Sequence, residues 1–221
     1  MDDKTLIARR VACELRAGSL VNLGIGLPTL VASMVGKDSN IFFQSENGLI
    51  GMQAFAEQGL EADDLTDAGG RPISALPGAA TFDSAVSFGL IRGGHLDVTV
   101  LGGLQVDRTG RLANWMVPGS LVPGMGGAMD LVTGARRVIV AMTHTAKGRP
   151  KIVEACTLPL TSARPVDLIV TELAVIEPTP QGLVLKELAP GVGLDEVQRV
   201  TGTRLIAPAG AKFAWRVSTD A

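Results

Sequence analysis

Aromatic side chains are scarce in this chain: they make up 4% of its 221 residues, and tyrosine is missing altogether. Cysteine and histidine are limited to two each, Cys13 and Cys156, His95 and His144. Two thiols cannot build a disulfide framework, and they read as small buried side chains in a reducing cytoplasm. With no ligand-like spacing among so few soft donors, no metal site is expected. Basic runs are also missing, and the formal net charge is −2, so the electrostatic attraction that nucleic-acid binding requires is lacking. No apolar run approaches the length of a membrane span. Asp2, Asp3, Lys4 and Arg9-Arg10 break up the N-terminal stretch that a signal peptide would need. The expectation is a cytoplasmic protein that binds neither nucleic acid nor membrane.

What is present is apolar material and glycine. Hydrophobic residues account for 46% and charged residues for 19%, enough for a substantial core. The 27 glycines fall in clusters rather than in a repeat. The stripe Ile7, Ala8, Val11, Ala12, Leu15 predicts a helix over 4–17, capped by Asp3 and ended by Gly18, with Arg9, Arg10, Glu14 and Arg16 facing outward. Strands are expected at 20–23, 40–44, 96–101, 138–142 and 168–170, and helices at 28–35, 82–92, from Ala128, and at 194–200. Strands alternating with helices indicate an α/β fold, a single domain over 1–221 with a largely parallel sheet flanked by helices. The polar stretch 53–71 reads as a long surface loop.

Four loops follow strand-like segments and are expected at the carboxyl edge of one sheet, where such folds bind ligands. They are Gly24-Ile25-Gly26-Leu27-Pro28, Ser45-Glu46-Asn47-Gly48, Leu101-Gly102-Gly103-Leu104-Gln105 and the loop from Pro123 to Asp130, which holds Gly124, Gly126, Gly127 and Ala128. Glu46 stands at the end of an apolar strand and before a turn-forming Asn47-Gly48 pair. A carboxylate so placed can act as a covalent nucleophile once desolvated and oriented, and the glycine admits close approach of a ligand to the backbone. Backbone N–H groups around Gly127 and Ala128, just before a helix, suit either a phosphate or a developing oxyanion. Gly24-x-Gly26 is not a dinucleotide fingerprint, because the third glycine is missing, and Gly-Lys-Ser/Thr of a P-loop is lacking. His144, His95, Asp83, Asp130 and Trp115 read as structural, turn, capping or core residues.

Taken together, Val21 to Pro28, Ser45 to Gly48, Leu76-Pro77-Gly78-Ala79, Ile91 to His95, Leu112-Ala113-Asn114-Trp115, Gly124 to Leu131, His144 to Gly148, Cys156 to Leu160 and Thr171 to Val175 give a chain that closely resembles the B-type subunit of the class I CoA-transferases, above all the 3-oxoacid type. The resemblance covers almost the whole length. It implies the CoA-transferase (ribose-phosphate-isomerase-like) fold and a ping-pong exchange in which Glu46 forms an acyl-glutamyl anhydride and then a glutamyl-CoA thioester. By resemblance, Asn22 orients the glutamate or substrate and the amides of Gly127 and Ala128 hold oxyanions. Gly24, Gly26, Asn47, Gly48, Gly102, Gly103, Gly124 and Gly126 line the coenzyme A side. Coenzyme A is then substrate and covalent intermediate, with no tightly bound cofactor. The implied substrates are an acyl-CoA such as succinyl-CoA and an acid such as acetoacetate. The implied partner is the homologous A-type subunit, in an α2β2 hetero-oligomer.

Two positions depart from the family pattern. Gly70 stands where many relatives carry Lys, and Gly51-Met52-Gln53-Ala54 replaces a Gly-Pro-type sequence. Both leave the choice of acid open, with Arg71 a candidate substitute for the lysine. The rival readings are an acyl-CoA hydrolase on the same fold and a non-catalytic phospho-ligand sensor.

Overall fold

The computed structural model describes residues 2–36, 38–53, 64–119, 125–208 and 213–216. The first third of the chain holds α1 (Asp3–Ala12), β1 (Leu20–Leu23), a 3₁₀ helix (Leu27–Met34), β2 (Phe42–Ser45), β3 (Leu49–Gln53) and β4 (Ser74–Thr81). The middle holds α2 (Ser84–Arg92), β5 (Val98–Leu101), β6 (Gln105–Asp107), β7 (Leu112–Ala113), α3 (Ala128–Gly134) and β8 (Arg137–Ala141). There follow β9 (Thr145–Ala146), β10 (Arg149–Pro150), β11 (Ile152–Val153), β12 (Leu168–Val170), β13 (Ala174–Thr179), β14 (Gly182–Leu188), α4 (Leu194–Arg199) and β15 (Leu205–Ile206).

One ten-stranded sheet dominates, in the order β15-β14-β13-β12-β8-β5-β1-β2-β3-β4. Its centre, β12-β8-β5-β1-β2, is parallel throughout. Runs such as Val98-Thr99-Val100, Val138-Ile139-Val140 and Leu168-Ile169-Val170 are buried on both faces, as strands sandwiched between helical layers must be. The sheet divides two apolar cores. One gathers Ile91, Leu131, Val132, Val140 and Ile169 under α2 and α3; the other gathers Ile7, Ala8, Val11, Val21, Val31 and Ile139 under α1 and the 3₁₀ helix. The expected α/β architecture with a largely parallel sheet is therefore the one observed.

The antiparallel flanks are new relative to the sequence reading. β3 and β4 extend the sheet beyond β2, and the β13–β14 hairpin extends it beyond β12. Pro77 in β4 and Pro178 in β13 hide these strands from a propensity argument, since proline forfeits a ladder donor. As the last strand of the sheet, β4 can carry one. Other differences are local. Helix α1 starts one residue earlier than expected, because Asp2 rather than Asp3 accepts the Thr5 N–H at 2.9 Å. It ends at Ala12, where the Glu14 and Leu15 N–H groups turn to carbonyls three residues back. Gly18 (φ +81°) instead shapes the turn into β1. Both cysteines are half-buried rather than buried, and burial pushes the Cys156 thiol up to about 11.

Arg10 is the clearest correction. Helical periodicity puts it on the outer face of α1, yet only 1% of it is exposed. Its Nε and Nη2 hold the Glu187 carboxylate of β14 at 2.6 and 2.7 Å, and Nη2 also reaches Glu14 at 2.7 Å. Arg137 of β8 closes the network on the other Glu14 oxygen at 2.6 Å. Burial alone would raise the Glu14 carboxyl, but the hydrogen bonds from Arg137 and Arg10 outweigh it and hold the group below its ordinary value. Among the described residues, no helix is long and apolar enough to cross a membrane.

Replacing Arg10 with Met takes the buried bidentate partner from Glu187 and one of the two short ion pairs from Glu14, and breaking such a buried pair costs about 3–5 kcal/mol. Urea denaturation of Arg10→Met should show a loss of that order. Pairing it with Glu187→Leu should recover a large part of the loss, because Glu14 keeps Arg137.

Candidate active site

The parallel registers bring the ends of β1, β2, β5 and β8 to one edge, and the loops after β1, β2 and β5 lie side by side there. Register also aligns polar residues within apolar strands: Asn22 of β1 stands opposite Gln44 of β2 and Thr99 of β5. The Asn22 Nδ2 donates to Gln44 Oε1 at 2.8 Å and to Glu46 Oε2 at 3.1 Å. The Thr99 hydroxyl donates to Asn22 Oδ1 at 3.4 Å, and Gln44 Nε2 donates to the Ser87 hydroxyl of α2 at 3.0 Å. All four supporting side chains are buried, whereas Glu46 is half-buried at the open end of the line. A buried amide network with its groups paired holds a single geometry, because each broken bond would strand a polar atom.

Glu46 heads the turn between β2 and β3. Gly48 has φ +124°, and a Cβ there would fall 1.9 Å from the Phe82 carbonyl oxygen, so only glycine fits. The Gly48 carbonyl accepts the Phe82 N–H at 2.9 Å, which pins the turn to the approach into α2. From the other side, Gly127 ends the loop that opens α3. A Cβ on Gly127 would lie 3.4 Å from Glu46 Cγ and 3.1 Å from Phe88 Cζ. The Glu46 side chain thus runs between the Asn22 amide and the start of α3. There the positive helix end and its N–H groups favour negative charge.

The structure places the remaining expected residues as follows. Asn22, Glu46 and Gly127 are in contact range. The Ala128 N–H makes a long 3.4 Å contact with the Met125 carbonyl. Gly24 packs tightly, with a Cβ there 3.2 Å from both Leu101 and the Val100 carbonyl, whereas a Cβ on Gly103 would collide with Met142 and Val140 at 2.7 and 2.9 Å. Gly26, Gly102 and Gly126 border open space. The Gly102 carbonyl is held by Asn114 Nδ2 at 3.2 Å, and Thr161 in turn donates to Asn114 Oδ1 at 2.7 Å. Asn47 is exposed and donates to the Thr66 carbonyl at 2.8 Å. Gly124 lies outside the described residues. Gln44, Thr99 and Ser87 were missed from sequence; the signal for the first two was a polar residue inside an apolar strand.

Residues read as structural behave so. Asp83 caps α2 through the Val86 N–H at 2.8 Å, and Asp130 pairs with Arg92 at 2.6 Å on the surface. His144 is fully buried between the Thr171 and Thr201 hydroxyls, at 3.0 and 2.8 Å. Each hydroxyl also reaches a backbone carbonyl, Thr201 that of Val197 at 2.7 Å and Thr171 that of Ala174 at 3.2 Å, so both ring nitrogens of His144 are partnered. Burial depresses its pKa to about 4. The backbone N–H of His144 is taken by both oxygens of Glu172, at 2.9 and 3.1 Å, whose carboxyl burial pushes upward. Among the described residues, no three His, Cys, Asp or Glu side chains gather as metal ligands. Two open clefts of about 650 and 770 Å³ lie elsewhere, around Pro165 and Pro178 near the amino end of β12, and neither includes Glu46. The polar line and the Gly127 contact, rather than cavity size, mark Glu46 as the candidate.

A histidine kept neutral by burial stabilises the fold fully above its unfolded pKa near 6.5. It loses that contribution as pH falls through about 4, because the unfolded chain takes up the proton first. The difference is on the order of 3 kcal/mol. Unfolding free energies of wild type and His144→Gln, compared from pH 7 to pH 4, should converge as the pH falls.

Comparison with known proteins points to one family. The Coenzyme A transferase family model matches residues 4–199. The chain is 55% identical over 202 residues to the beta subunit of the acetate CoA-transferase of Haemophilus influenzae, covering 91% of this chain and 90% of that one. It is 52% identical over 196 residues to the B-type subunit of the succinyl-CoA:3-ketoacid coenzyme A transferase of Helicobacter pylori, covering 88% and 94%. Among solved structures, an acyl-CoA transferase (YdiF) of Escherichia coli O157:H7, in a thioester complex with CoA, superposes with a TM-score of 0.70 at 24% identity. The match covers 95% of this chain and 42% of that longer polypeptide, and shows the shared fold. A match over most of the chain, at more than half identity, means that this protein belongs to the coenzyme A transferase family, as an enzyme chain of the B type.

Proposed function

We propose that this chain is the glutamate-bearing, catalytic subunit of a 3-oxoacid CoA-transferase, with Glu46 as the covalent nucleophile. The observation that carries the reading is the Glu46 carboxylate, held by Asn22 at 3.1 Å and flanked by Gly127 at the start of α3. A Glu46 oxygen attacks the thioester carbonyl carbon of an acyl-CoA, the C–S bond breaks, and CoA leaves as thiolate with an acyl-glutamyl anhydride behind it. The thiolate then attacks the glutamyl carbonyl carbon, the C–O bond to the acyl group breaks, and the free acid departs from a glutamyl-CoA thioester. A second carboxylate runs the same two steps in reverse and leaves as its CoA ester. Each step passes through a tetrahedral oxyanion. The N–H groups of Gly127 and Ala128 are the assigned donors, and losing one such donor costs about 3–4 kcal/mol of transition-state stabilisation. For Ala128 to serve, its long contact with Met125 must yield to the oxyanion.

The relatives' names support transfer between acyl-CoAs and acids, and a neighbour of the same fold is known as a thioester with CoA. Succinyl-CoA and acetoacetate are the pair we assign, with acetate the competing acid. Because the relatives are named as single subunits of larger enzymes, we also assign the homologous A-type chain as partner, in an α2β2 assembly that completes the site, in the cytoplasm.

The test is intact-mass spectrometry of the chain co-expressed with its A-type partner, after incubation with succinyl-CoA or acetoacetyl-CoA. A CoA-sized adduct that maps to Glu46, yields to hydroxylamine and disappears in Glu46→Ala is expected. Acid release beyond one equivalent per Glu46 without any acceptor would point to hydrolysis instead, and no adduct with any acyl-CoA would sink the reading.

A further inference from the structure

Residues 64–73 carry a structural unit that the chain uses twice. Asp67 N–H donates to the Arg71 carbonyl at 2.9 Å, Gly70 N–H to the Asp67 carbonyl at 2.9 Å, and Ile73 N–H to the Leu65 carbonyl at 3.1 Å, closing a tight hairpin tip. The Asp67 carboxylate fills that tip. Its Oδ1 accepts the N–H groups of Gly69 and Arg71 at 2.8 and 2.9 Å, and its Oδ2 takes Arg71 Nε and Nη2 at 3.1 and 3.0 Å.

The same Asp-x-x-Gly-Arg pattern recurs at Asp107–Arg111, between β6 and β7. There, Oδ1 accepts the Thr109 and Arg111 N–H groups at 2.9 and 3.1 Å, and Oδ2 takes Arg111 Nε and Nη2 at 2.9 and 2.8 Å. Gly70 and Gly110 share a left-handed φ, +77° and +82°. Two distant segments reaching one hydrogen-bond pattern mark it as a rigid unit set by its own five residues.

The two tips differ in what they touch. Gly110 packs on Pro165 and Pro178, and its carbonyl accepts the Val166 N–H at 2.9 Å, so that tip braces the amino end of β12, away from Glu46. The Asp67 tip instead grips the Glu46 turn. Ala68 N–H donates to the Ser45 hydroxyl at 2.9 Å, and the Thr66 carbonyl accepts Asn47 Nδ2 at 2.8 Å. Ser45 and Asn47 are the residues on either side of Glu46, while Thr66 and Ala68 are those on either side of Asp67. Gly69 meets Ile25 of the glycine loop after β1, 3.6 Å from where a Cβ would stand.

We propose that Asp67 is a positioning residue for Glu46: its carboxylate locks the hairpin tip, and the locked tip clamps the chain on both sides of the nucleophile. The proposal rests on the function assigned to Glu46 above. The chemistry explains the need for a clamp. One carboxylate must serve in turn as attacking oxygen and as acyl carrier, and a displacement of about 1 Å can cost roughly 10²-fold in rate. Asn22 restrains the tip of the side chain and reaches the Gln44 carbonyl at 3.3 Å, two residues before Glu46. The Asp67 clamp holds the residues on either side of Glu46. The same geometry sets Arg71 on Asp67 within the tip.

The experiment compares Asp67→Ala and Asn47→Ala with Asp107→Ala, which removes the identical carboxylate from the distant tip. The protein is the complex with its A-type partner. One readout is the rate of adduct formation on Glu46 over a range of succinyl-CoA concentrations; the other is hydrogen exchange of the segment 44–50. For Asp67→Ala, the maximal adduct rate should fall about 10- to 100-fold, with the half-saturating concentration changed less than about threefold, and exchange over 44–50 should quicken about tenfold. Asn47→Ala, an exposed change that spares the fold, should show the same pattern more weakly. Asp107→Ala should lower the denaturation midpoint and leave both readouts at the wild-type level. Equal slowing by the Asp67 and Asp107 variants, or unchanged protection of 44–50 in Asp67→Ala, would overturn the proposal. If wild type forms no adduct, the functional reading falls, and the exchange comparison alone decides the positioning role.

Discussion

Everything at the candidate site depends on one register. When β1 pairs with β2 and β5 so that Asn22 stands opposite Gln44 and Thr99, three polar side chains fall in a row inside an apolar sheet. Shifting either pairing by one residue would turn those side chains to opposite faces and leave their polar groups without partners, at about 1–3 kcal/mol each. The row therefore reads the register and enforces it. It also ends at Glu46, so the interaction that selects the sheet's pairing is the one that orients the carboxylate.

Away from that row, Arg10, Glu14, Arg137 and Glu187 tie α1 to β8 and β14 through short, largely buried ion pairs. At the carboxyl edge the structure uses glycines, amides and one half-buried carboxylate, and leaves that carboxylate facing outward. The strands between the ion pairs and this carboxylate are apolar and covered on both faces.

The hairpin tips make a related point about reuse. A five-residue unit closed by its own aspartate is rigid without help from the rest of the fold. It can brace a pair of prolines in one place and the Glu46 turn in another. What the unit does is decided by which neighbour lies within hydrogen-bond reach. The Glu46 turn is held from below by the Asn22 row, from behind by the Gly48–Phe82 bond and from the flank by the Asp67 tip. Such over-determination is what a reacting group needs.

The amino-acid sequence by itself determined the α/β class, because that rests on local rules, and it singled out Glu46 as a candidate. Apolar runs make strands and Asn-Gly makes a turn; a carboxylate after a strand is by itself a charged turn, and became a candidate only beside the other glycine loops. It also carried the family, through motifs spread along the chain. It misjudged Arg10, whose helical position points outward by periodicity but whose partner Glu187 lies 177 residues away. It could not show the Asn22–Gln44–Thr99 row, the service of Ser87, or the grip of Thr66 and Ala68 on the Glu46 turn. Nor could it reveal that β4 and the β13–β14 hairpin extend the sheet despite their prolines. Those were settled only by tertiary structure, since each depends on which distant segments pair and in what register, and pairing is fixed by the burial of the whole sheet rather than by any segment alone.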